Sequence, residues 1–528
     1  MDSNLLTATY VTPENFGAKG DGSTDDTAAI QAADTWARAH GNMMVLFSAK
    51  TYMVSQLVVY SGTNWMGTGL PMGANDTSFT PPIAGTIIRQ IVGSNTDLIY
   101  GVNSNLNWGT LNPVNPPVRY SLQRLCLDGN WNNGAGNVSG HGIAIFGNAP
   151  LMKDLYICNV AGCGIRHAWS AQHDPTHTQG FELFSSAYWE NISIDTCGQH
   201  GWWDGGPTDG NVNFCYIVDS SRSANNAYDG LYADSGSDLY WFNLHPWTRH
   251  STAGFATIRS RYALNCRPGS NNTFAACQFE GAYSAPVNIS GSNNKFDSNC
   301  SFYGSVTGVV INMNTQASGN IVKGYVNGNP VSGFPAATGI LISSTPGDVV
   351  ANNIIDVNFS GTGPAITVGT ASNSNIVKIS GIGVMTPPCY AGTWSQTDYY
   401  KIINGNTTFT NGHYQSSVAV ASGPFISSAV TTNILSMTVS PGTWLIWGSV
   451  AVGTTTATSI AGGFGTTSGV LPVGTTGQLR NTAGSSSPVD AGQAVMTFTV
   501  STTVYLMINA VFGGGSIRAG GELQVQRL

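Results

Sequence analysis

Two short sequence signatures alternate along the middle of the chain and predict its main elements. One is a polar residue, usually Asn, followed by a hydrophobic residue that starts a short strand: Asn191-Ile192, Asn213-Phe214, Thr273-Phe274, Lys295-Phe296, Asn320-Ile321, Asn353-Ile354 and Asn375-Ile376. The other is usually Gly followed by a hydrophobic residue: Gly142-Ile143, Gly164-Ile165, Gly201-Trp202, Gly230-Leu231, Gly254-Phe255, Gly308-Val309 and Gly339-Ile340. Because the two signatures alternate, each pair predicts one turn of a coil built from strands.

The spacing of these signatures indicates a solenoid. The closest repeats are roughly 22 residues apart, and the wider ones have the form of the same unit with an inserted loop. Gly and Asn tolerate the left-handed backbone region, which suits short strands joined by tight bends. Stacked equivalent strands pair every backbone amide with the coil above or below. We therefore predict an all-β chain with a parallel β-helix over residues 61–385.

The open end of such a helix needs a cover, and the start of the chain supplies one. An amphipathic pattern predicts a helix from Thr27 to Ala39, introduced by Asp25-Asp26 and ended by Gly41. We assign residues 13–60 to this cap and the first coil. Residues 1–12 are predicted to be a linker or a truncated anchor, because they are too few for an anchoring domain.

The pattern changes after residue 385. Residues 386–415 break the period and are predicted to form a connector. From residue 416 to 528, strands of alternating polarity separated by Gly, Pro and Ser turns predict an antiparallel β-sandwich of jelly-roll type. The predicted strands are Asn433 to Val439, Thr443 to Val452, Ala494 to Val500, Thr503 to Val511 and Glu522 to Leu528.

Composition narrows the function. Charged residues make up 9% of the chain, against about 25% in an ordinary soluble domain, and the net charge is -7. Phosphate binding needs clustered Lys and Arg, so we predict no nucleic-acid partner. No apolar run of about 18 residues occurs, which predicts no membrane span. Met1 to Tyr10 lacks the parts of a signal peptide, so a protein that works outside the cell is expected to leave by lysis or to be trimmed from a longer chain.

The cysteines are predicted to be core residues. The nine are scattered without the CxxC pairs typical of metal sites, so neither a metal nor another cofactor is predicted. Five of them fall near the same part of the coil and could fill part of one buried column: Cys158, Cys197, Cys215, Cys277 and Cys300.

The stretch from residue 163 to 250 concentrates acidic and aromatic residues, the combination that sugar sites need. Adjacent coils lie about 4.8 Å apart, so carboxylates one coil apart stand roughly 5 to 10 Å apart, which includes both glycosidase geometries. Asp204 with Asp234 or Asp229 is the predicted pair of acid and base. The predicted substrate-binding residues are Arg166, His167, Trp169, Glu182, Glu190, Trp203, Tyr232, Trp241 and Trp247.

Several of these residues also have a structural interpretation. An Asp beside Gly in a β-helix turn commonly caps local amides. Trp202 follows the Gly that starts a strand and is predicted to be a core residue, which leaves Trp203 pointing outward. Glu280 is predicted to be structural. His167 and His200 are expected more as hydrogen-bonded structural histidines than as catalytic ones.

The opening of the chain carries a specific motif. Residues Asn15 to Gln31, NFGAKGDGSTDDTAAIQ, resemble the opening motif of the pectate-lyase-like β-helix family, which includes bacteriophage tailspikes. Ser48 to Tyr52 keeps the Tyr of the Pro-Ala-Gly-x-Tyr turn that normally follows but lacks its Pro and Gly. The resemblance implies a right-handed parallel β-helix and a homotrimer, with a terminal domain for trimerisation or carbohydrate binding. It also implies a place on the virion tail, attachment through another tail or baseplate protein, and action outside the cell at the host surface.

Four functions fit these residues. The favoured one is a phage tailspike depolymerase, an endo-acting glycoside hydrolase that cuts a bacterial capsule, exopolysaccharide or O-antigen. The alternative is a polysaccharide lyase acting by β-elimination on a uronic acid polymer, for which Arg166, His167, Tyr232 and Arg249 could supply a base and a cation. A non-catalytic receptor-binding tail fibre is the third, and a secreted bacterial pectin-type enzyme is the fourth.

Overall fold

A computed structural model gives the fold of most of the chain. It describes residues 9–69, 84–102, 117–132, 135–147, 150–168, 185–206, 208–249, 258–330, 334–343, 345–361, 363–369, 372–381, 390–392, 399–403, 407–409, 413–418, 424–427, 430–439, 441–452, 457–470, 479–480, 489–512 and 516–527. These ranges contain one α-helix, and no helix in them is long and apolar enough to cross a membrane.

The α-helix covers Thr27–Ala39, as the sequence predicted. The carboxylate of Asp26, just before it, accepts hydrogen bonds from the backbone amides of Lys19 at 2.6 Å and Gly20 at 3.0 Å. The buried face of the helix is Ile30, Ala33, Asp34, Trp36 and Ala37. This face lies against the strands Met44–Phe47 and Leu57–Val59, so the helix covers the start of the coil.

The chain divides into two compact units, residues 1–311 with 331–335, and residues 312–330 with 336–528. In the first unit most strands stack in two parallel sheets, and Trp131–Asn132 pairs antiparallel with Ala135–Gly136 as a separate small sheet. The bent sheet contains Tyr10–Val11, Asp21–Asp25, Met44–Phe47, Thr51–Val54, Asn64–Gly67, Thr86–Gln90, Ser121–Asp128, Leu151–Val160, Ser185–Cys197, Thr208–Val218, Tyr240–Trp247, Thr273–Ala275, Gln278–Ala282, Lys295–Phe296 and Ser301–Ser305. The short sheet contains Leu57–Val59, Ile99–Gly101, Ile143–Ala144, Ile165–Ala168, Trp202–Gly205, Leu231–Ala233, Tyr262–Cys266 and Ala285–Ile289.

The short sheet confirms the Gly signature as a repeat of the coil. Ile143, Ile165, Trp202 and Leu231 are paired in this order on successive coils, and Leu264 continues the row. The Gly before each strand lets neighbouring coils approach. A Cβ at Gly201, for example, would lie 2.9 Å from the carbonyl oxygen of Gly230 on the next coil, and also 2.1 Å from a methyl carbon of Ile217 on the bent sheet. The predicted member Gly254-Phe255 lies outside the described residues.

The strands of the bent sheet carry a residue in the left-handed backbone region at the same place on successive coils. This residue bends each strand. Asp154, Asn191, Phe214 and Asn243 have φ between 53° and 55°, and the paired residues on either side of them match. Asn and Asp adopt this conformation more readily than most residues. The Asn signature therefore combined two positions of the coil, because the equivalent of Asn191 is Phe214 and not Asn213.

These bends also explain why the cysteines do not form one column. All eight cysteines in the described residues are buried, as predicted. Only Cys277 and Cys300, just before the paired Gln278 and Ser301, occupy equivalent places. Cys158, by contrast, pairs with Asp195, because each bend shifts the alternation of inward and outward side chains. The expectation of a single column of five was wrong.

The second unit begins with further parallel coils. One sheet stacks Ile321–Gly328, Ile354–Gly361, Ile376–Gly381, Tyr399–Ile403 and His413–Val418. The other stacks Thr338–Ile342, Ile366–Val368 and Tyr390–Gly392, and Val350–Ala351 pairs with Ser372–Asn373. Parallel pairing thus extends into residues 386–415, which the sequence predicted as a connector. The reason is that strands as short as Tyr390–Gly392 still pair in register without an obvious sequence signature.

The end of the chain is antiparallel. One sheet pairs Gly442–Val452 with Val489–Phe498 and Ser516–Arg527, and the last strand also pairs with Phe425–Ser427. The other pairs Thr432–Val439, Thr502–Phe512, Ala457–Gly465 and Leu479–Arg480 antiparallel, and Thr407–Phe409 joins its edge in parallel to Thr432–Val439. The two sheets contact each other. This arrangement confirms the fold class, a right-handed parallel β-helix with an N-terminal capping helix and a C-terminal antiparallel β-sandwich.

Candidate functional site

The outward face of the short sheet brings together three of the predicted substrate-binding residues. Arg166, Trp203 and Tyr232 are paired on three consecutive coils, and Asn265 follows on the next. All three are half-buried, while the residues on either side of each are buried. This pattern is that of a strand with one face toward the core and one toward solvent.

The side chains of this row contact one another. The Arg166 guanidinium lies 5.2 Å from the centre of the Trp203 ring. Trp203 and Tyr232 meet edge to face at 5.7 Å, and the Arg267 guanidinium lies 5.7 Å from the Tyr232 ring. Aromatic faces flanked by cations are suited to a sugar that carries a negative group.

Asp204, predicted as half of the acid and base pair, points the other way. Its carboxylate is fully buried and bonds to His167 Nδ1 at 2.7 Å, to Thr208 Oγ1 at 3.1 Å and to Ser237 Oγ. His167 is fully buried as well. The cause is the strand alternation, since both residues follow an outward-facing neighbour. In this arrangement neither Asp204 nor His167 touches a polymer bound outside the coil.

Asp229 is also fully buried, and it holds an arginine in place. Its carboxylate accepts hydrogen bonds from Arg261 Nε at 3.0 Å and Arg261 Nη2 at 2.7 Å, and from Asn265 Nδ2 at 3.0 Å. Of the three predicted catalytic carboxylates, Asp234 alone is partly exposed. It lies two residues after Tyr232 along the chain, and its Oδ1 accepts a hydrogen bond from the Ser235 amide at 2.9 Å.

His200, which the sequence favoured as structural, lies against Tyr232 with the two ring centres 4.5 Å apart. Burial lowers the pKa of His200 to about 4, because it outweighs the opposing effect of the Asp229 carboxylate. The Asp229 backbone amide donates to His200 Nδ1 at 3.0 Å, so this nitrogen is an acceptor and the ring proton is on Nε2. The histidine is therefore a neutral hydrogen-bond donor at pH 7.

Tyr232 is a proton donor in these surroundings. Burial raises the pKa of Tyr232, and the nearby Asp234 carboxylate raises it further, while Arg267 acts in the opposite direction. The hydroxyl is therefore protonated at neutral pH. This face therefore offers a proton donor, the Tyr232 hydroxyl, near the partly exposed Asp234 carboxylate and the Arg267 guanidinium. These groups are suited to acid and base catalysis.

The remaining predicted site residues lie elsewhere. Glu190 and Trp247 belong to the bent sheet, where Glu190 pairs with Lys153 at 2.9 Å. Trp241 is fully buried. Trp169 and Glu182 lie outside the described residues.

Sequence reasoning did not select Arg261, Arg267 or Asn265 for this site. Asn265 lies in the strand Tyr262–Cys266, and Arg261 and Arg267 flank that strand. The strand lacks the Gly of the signature, because Ala263 takes its place. The row from Arg166 to Tyr232 could have been extended to Asn265 only by pairing that strand with Leu231–Ala233.

Comparison with known proteins supports the resemblance read from the opening motif. A family model described as "Rhamnogalacturonase A/epimerase, pectate lyase-like" matches residues 11–112. The opening segment is thus similar to this family. This match covers the cap and the first coils and does not reach the short-sheet row.

Curated relatives match short parts of the chain. "Depolymerase 1, capsule K30/K69-specific" of Klebsiella phage K5-2 is 52% identical over 50 residues, 10% of this chain and 6% of that protein. Mannuronan C5-epimerase AlgE2 of Azotobacter vinelandii is 34% identical over 135 residues, 24% of this chain and 12% of that protein. The matches thus span a small fraction of the length of these relatives.

Among solved structures, the A-module of mannuronan C-5 epimerase AlgE6 of Azotobacter vinelandii has 15% sequence identity and a TM-score of 0.49. The match covers 74% of this chain and 99% of that one.

Proposed function

We propose that this protein is a tailspike-type enzyme that binds and degrades a bacterial surface polysaccharide. The named capsule depolymerase of a phage, among the relatives, supports this class of substrate. The short-sheet row supports it too, because aromatic faces next to hydrogen-bonding groups are typical of sugar sites.

We further propose that the polymer carries uronic acid units and that the short-sheet face acts by removing a proton from carbon. The observation that carries this proposal is the pairing of partly exposed Tyr232 with guanidinium groups, while Asp204 and Asp229 are buried and engaged. Guanidinium groups bind carboxylates in a planar, two-point geometry. Hydrolysis by the Asp pair lacks a second accessible acid among the predicted catalytic residues.

The reaction then assigns a role to each group. Arg267, whose guanidinium lies 5.7 Å from the Tyr232 ring, holds and neutralises the uronate carboxylate, which makes the adjacent carbon more acidic. Arg166, at the other end of the row, holds the carboxylate of another unit of the polymer. Asp234 takes the proton from that carbon, and Tyr232 gives its proton to the glycosidic oxygen as the carbon–oxygen bond breaks. A carbon–carbon double bond forms in the ring that loses the proton. One proton is taken and one is given, so the step balances and both groups are reset through water.

The experiment is chain cleavage on a panel of purified capsular polysaccharides, some with uronic acid and some without. On the polymers with uronic acid only, we expect new reducing ends together with absorbance at about 235 nm, where an unsaturated uronide absorbs. Tyr232→Phe should reduce kcat about 100-fold or more while leaving the melting temperature unchanged. Tyr228→Phe is the matched control, since Tyr228 also contacts the His200 ring, with the ring centres 5.2 Å apart, but is not in the row of Tyr232 and should keep activity.

Three results would contradict the assignment in different ways. Reducing ends without the absorbance would indicate a hydrolase. Inversion at the same carbon without chain cleavage would indicate an epimerase, which shares the proton removal. Binding without any change to the polymer would indicate a receptor-binding fibre.

We also propose how the protein assembles and where it acts. We expect a homotrimer attached to the phage tail through another tail or baseplate protein, acting outside the host cell on its surface polymer. A mass from light scattering three times that of the 55.3 kDa chain would support the trimer, and a monomer mass would contradict it.

A further inference from the structure

The outward face of the bent sheet exposes aromatic side chains on consecutive coils. The five residues are between 41% and 55% exposed, and we call them the aromatic face: Tyr188, Phe214, Tyr216, Tyr240 and Phe242. They belong to the strands Ser185–Cys197, Thr208–Val218 and Tyr240–Trp247, which are paired in parallel. An exposed group of large aromatic residues usually marks a contact surface.

Hydrogen-bonding residues separate these rings. Asn211 is paired with Tyr188 on one side and Tyr240 on the other. Asn213 lies in the same way between Glu190 and Phe242. The rings therefore do not merge into one apolar patch.

A polar cluster lies beside the aromatic face on the same sheet. Gln278 Nε2 donates to Glu280 Oε2 at 3.0 Å, and His245 Nε2 lies 3.5 Å from the same oxygen. Trp247 stacks on the His245 ring, with centres 5.8 Å apart, and Tyr303 is paired with Glu280 on the next coil. Burial acts to raise the pKa of Glu280, but hydrogen bonds from His245, Tyr303 and Gln278 outweigh it and leave the pKa below its usual value.

We propose that the aromatic face and this polar cluster form a second saccharide-binding surface, on a different sheet from the Tyr232 site, that holds neutral, hydroxyl-rich stretches of the polymer. Sugars present an apolar ring face and a rim of hydroxyls, so they need stacking surfaces and hydrogen-bonding groups in alternation. The core of a protein interface, in contrast, is a contiguous apolar patch with few charged residues. The alternation on this sheet fits the sugar.

The charges on this sheet explain the choice of neutral units. Lys153 is engaged with Glu190 at 2.9 Å, and Arg249 is engaged with both Asp195 and Asp219. Glu280 adds negative charge that no Lys or Arg ion pair in the described part of this sheet balances, which disfavours a uronate carboxylate. The short-sheet row has the opposite character, with Arg166 and Arg267 at its two ends.

The spacing of the rings suits a polymer that crosses several coils. Tyr188 and Tyr240 are two coils apart in one row, which corresponds to about 10 Å. A chain held across this distance contacts more than one ring, and each added contact slows its release. The surface would therefore act on long polymer and not on a short oligosaccharide. Only the identity of the polymer in this inference rests on the proposed function.

The test measures binding and turnover separately on the full chain. Tyr216→Ala combined with Phe242→Ala should weaken binding of purified capsular polysaccharide about tenfold in affinity electrophoresis, because two stacking surfaces are lost. Glu280→Gln, which keeps the shape of the side chain, should weaken it as well. Turnover of a short oligosaccharide should stay at the wild-type value in both. Tyr232→Phe should do the reverse, with polymer binding kept and turnover lost.

Two outcomes overturn the inference. If the double variant binds polymer as the wild type does, the face does not hold sugar. If it instead loses its oligomeric mass in light scattering, the face is an interface between copies of the chain. Failure of the wild type to cleave any polymer would overturn only the proposed reaction, because affinity electrophoresis measures binding and does not depend on turnover.

Discussion

Replacing Asp204 with Ala separates a structural role from a catalytic one. The carboxylate has no exposed surface and bonds to three side chains, those of His167, Thr208 and Ser237. Ala leaves these groups in the interior of the coil without the partner that they now share. Breaking a buried charged interaction on one side costs about 3–5 kcal/mol.

The change in melting temperature that this loss of free energy causes depends on the size of the unit. The first compact unit contains roughly 300 residues, so its unfolding entropy near 60 °C is about 0.6 kcal/mol per degree. A loss of 3–5 kcal/mol then lowers the melting temperature by roughly 5–8 °C. Differential scanning calorimetry of Asp204→Ala at a fixed scan rate measures this shift.

Asp234→Asn is the matched control, because Asp234 lies in the next coil and is partly exposed. It should keep the wild-type melting temperature and lose polymer cleavage. Asp204→Ala should show the reverse, with turnover per folded molecule close to the wild-type value. A stable Asp204 variant with cleavage reduced 100-fold would refute the reasoning and restore Asp204 as a catalytic acid.

Three further substitutions test other parts of the structure. The pKa of His200 is lowered to about 4 and an unfolded histidine titrates near about 6.5, so its stabilisation is complete above pH 6.5 and is lost toward pH 4. His200→Gln should flatten the fall of melting temperature over this window, and equal slopes would contradict it. Gly201→Ala should cost about 1–3 kcal/mol in thermal melts, because its Cβ would meet Ile217, and a neutral result would show that the coil can shift. Asn353→Ala removes the side-chain hydrogen bonds that Asn353 makes with Asn320 and Asn375 on the two neighbouring coils and should cost about 2–4 kcal/mol in chemical unfolding, whereas an unchanged midpoint would refute a stabilising ladder.

The repeat, the cap and the fold class could be predicted because each is a local property of the chain. Gly and hydrophobic residues recur wherever a strand begins, and the helix Thr27–Ala39 carries its own start, stop and apolar face. A coil also repeats one interaction many times, so a weak signal in one unit is reinforced by the next.

The alternation of side chains along a strand was enough to predict part of the site. The same reasoning that placed Trp202 inside and Trp203 outside also places Asp204 inside, since side chains alternate along a strand. Asp204 was nevertheless expected in the catalytic pair, because its neighbourhood in sequence is rich in sugar-binding residue types.

The sequence by itself determined that the chain winds into stacked strands, since that follows from periodic polarity and turn residues. Only the tertiary structure decided which side chains meet on the outside. The pairing of Asn265 with Tyr232 on the neighbouring coil brings Arg267 next to Tyr232, and left-handed bends such as Asn191 reset the alternation within a strand. Both effects depend on how one coil registers on the next, and no local pattern records that register.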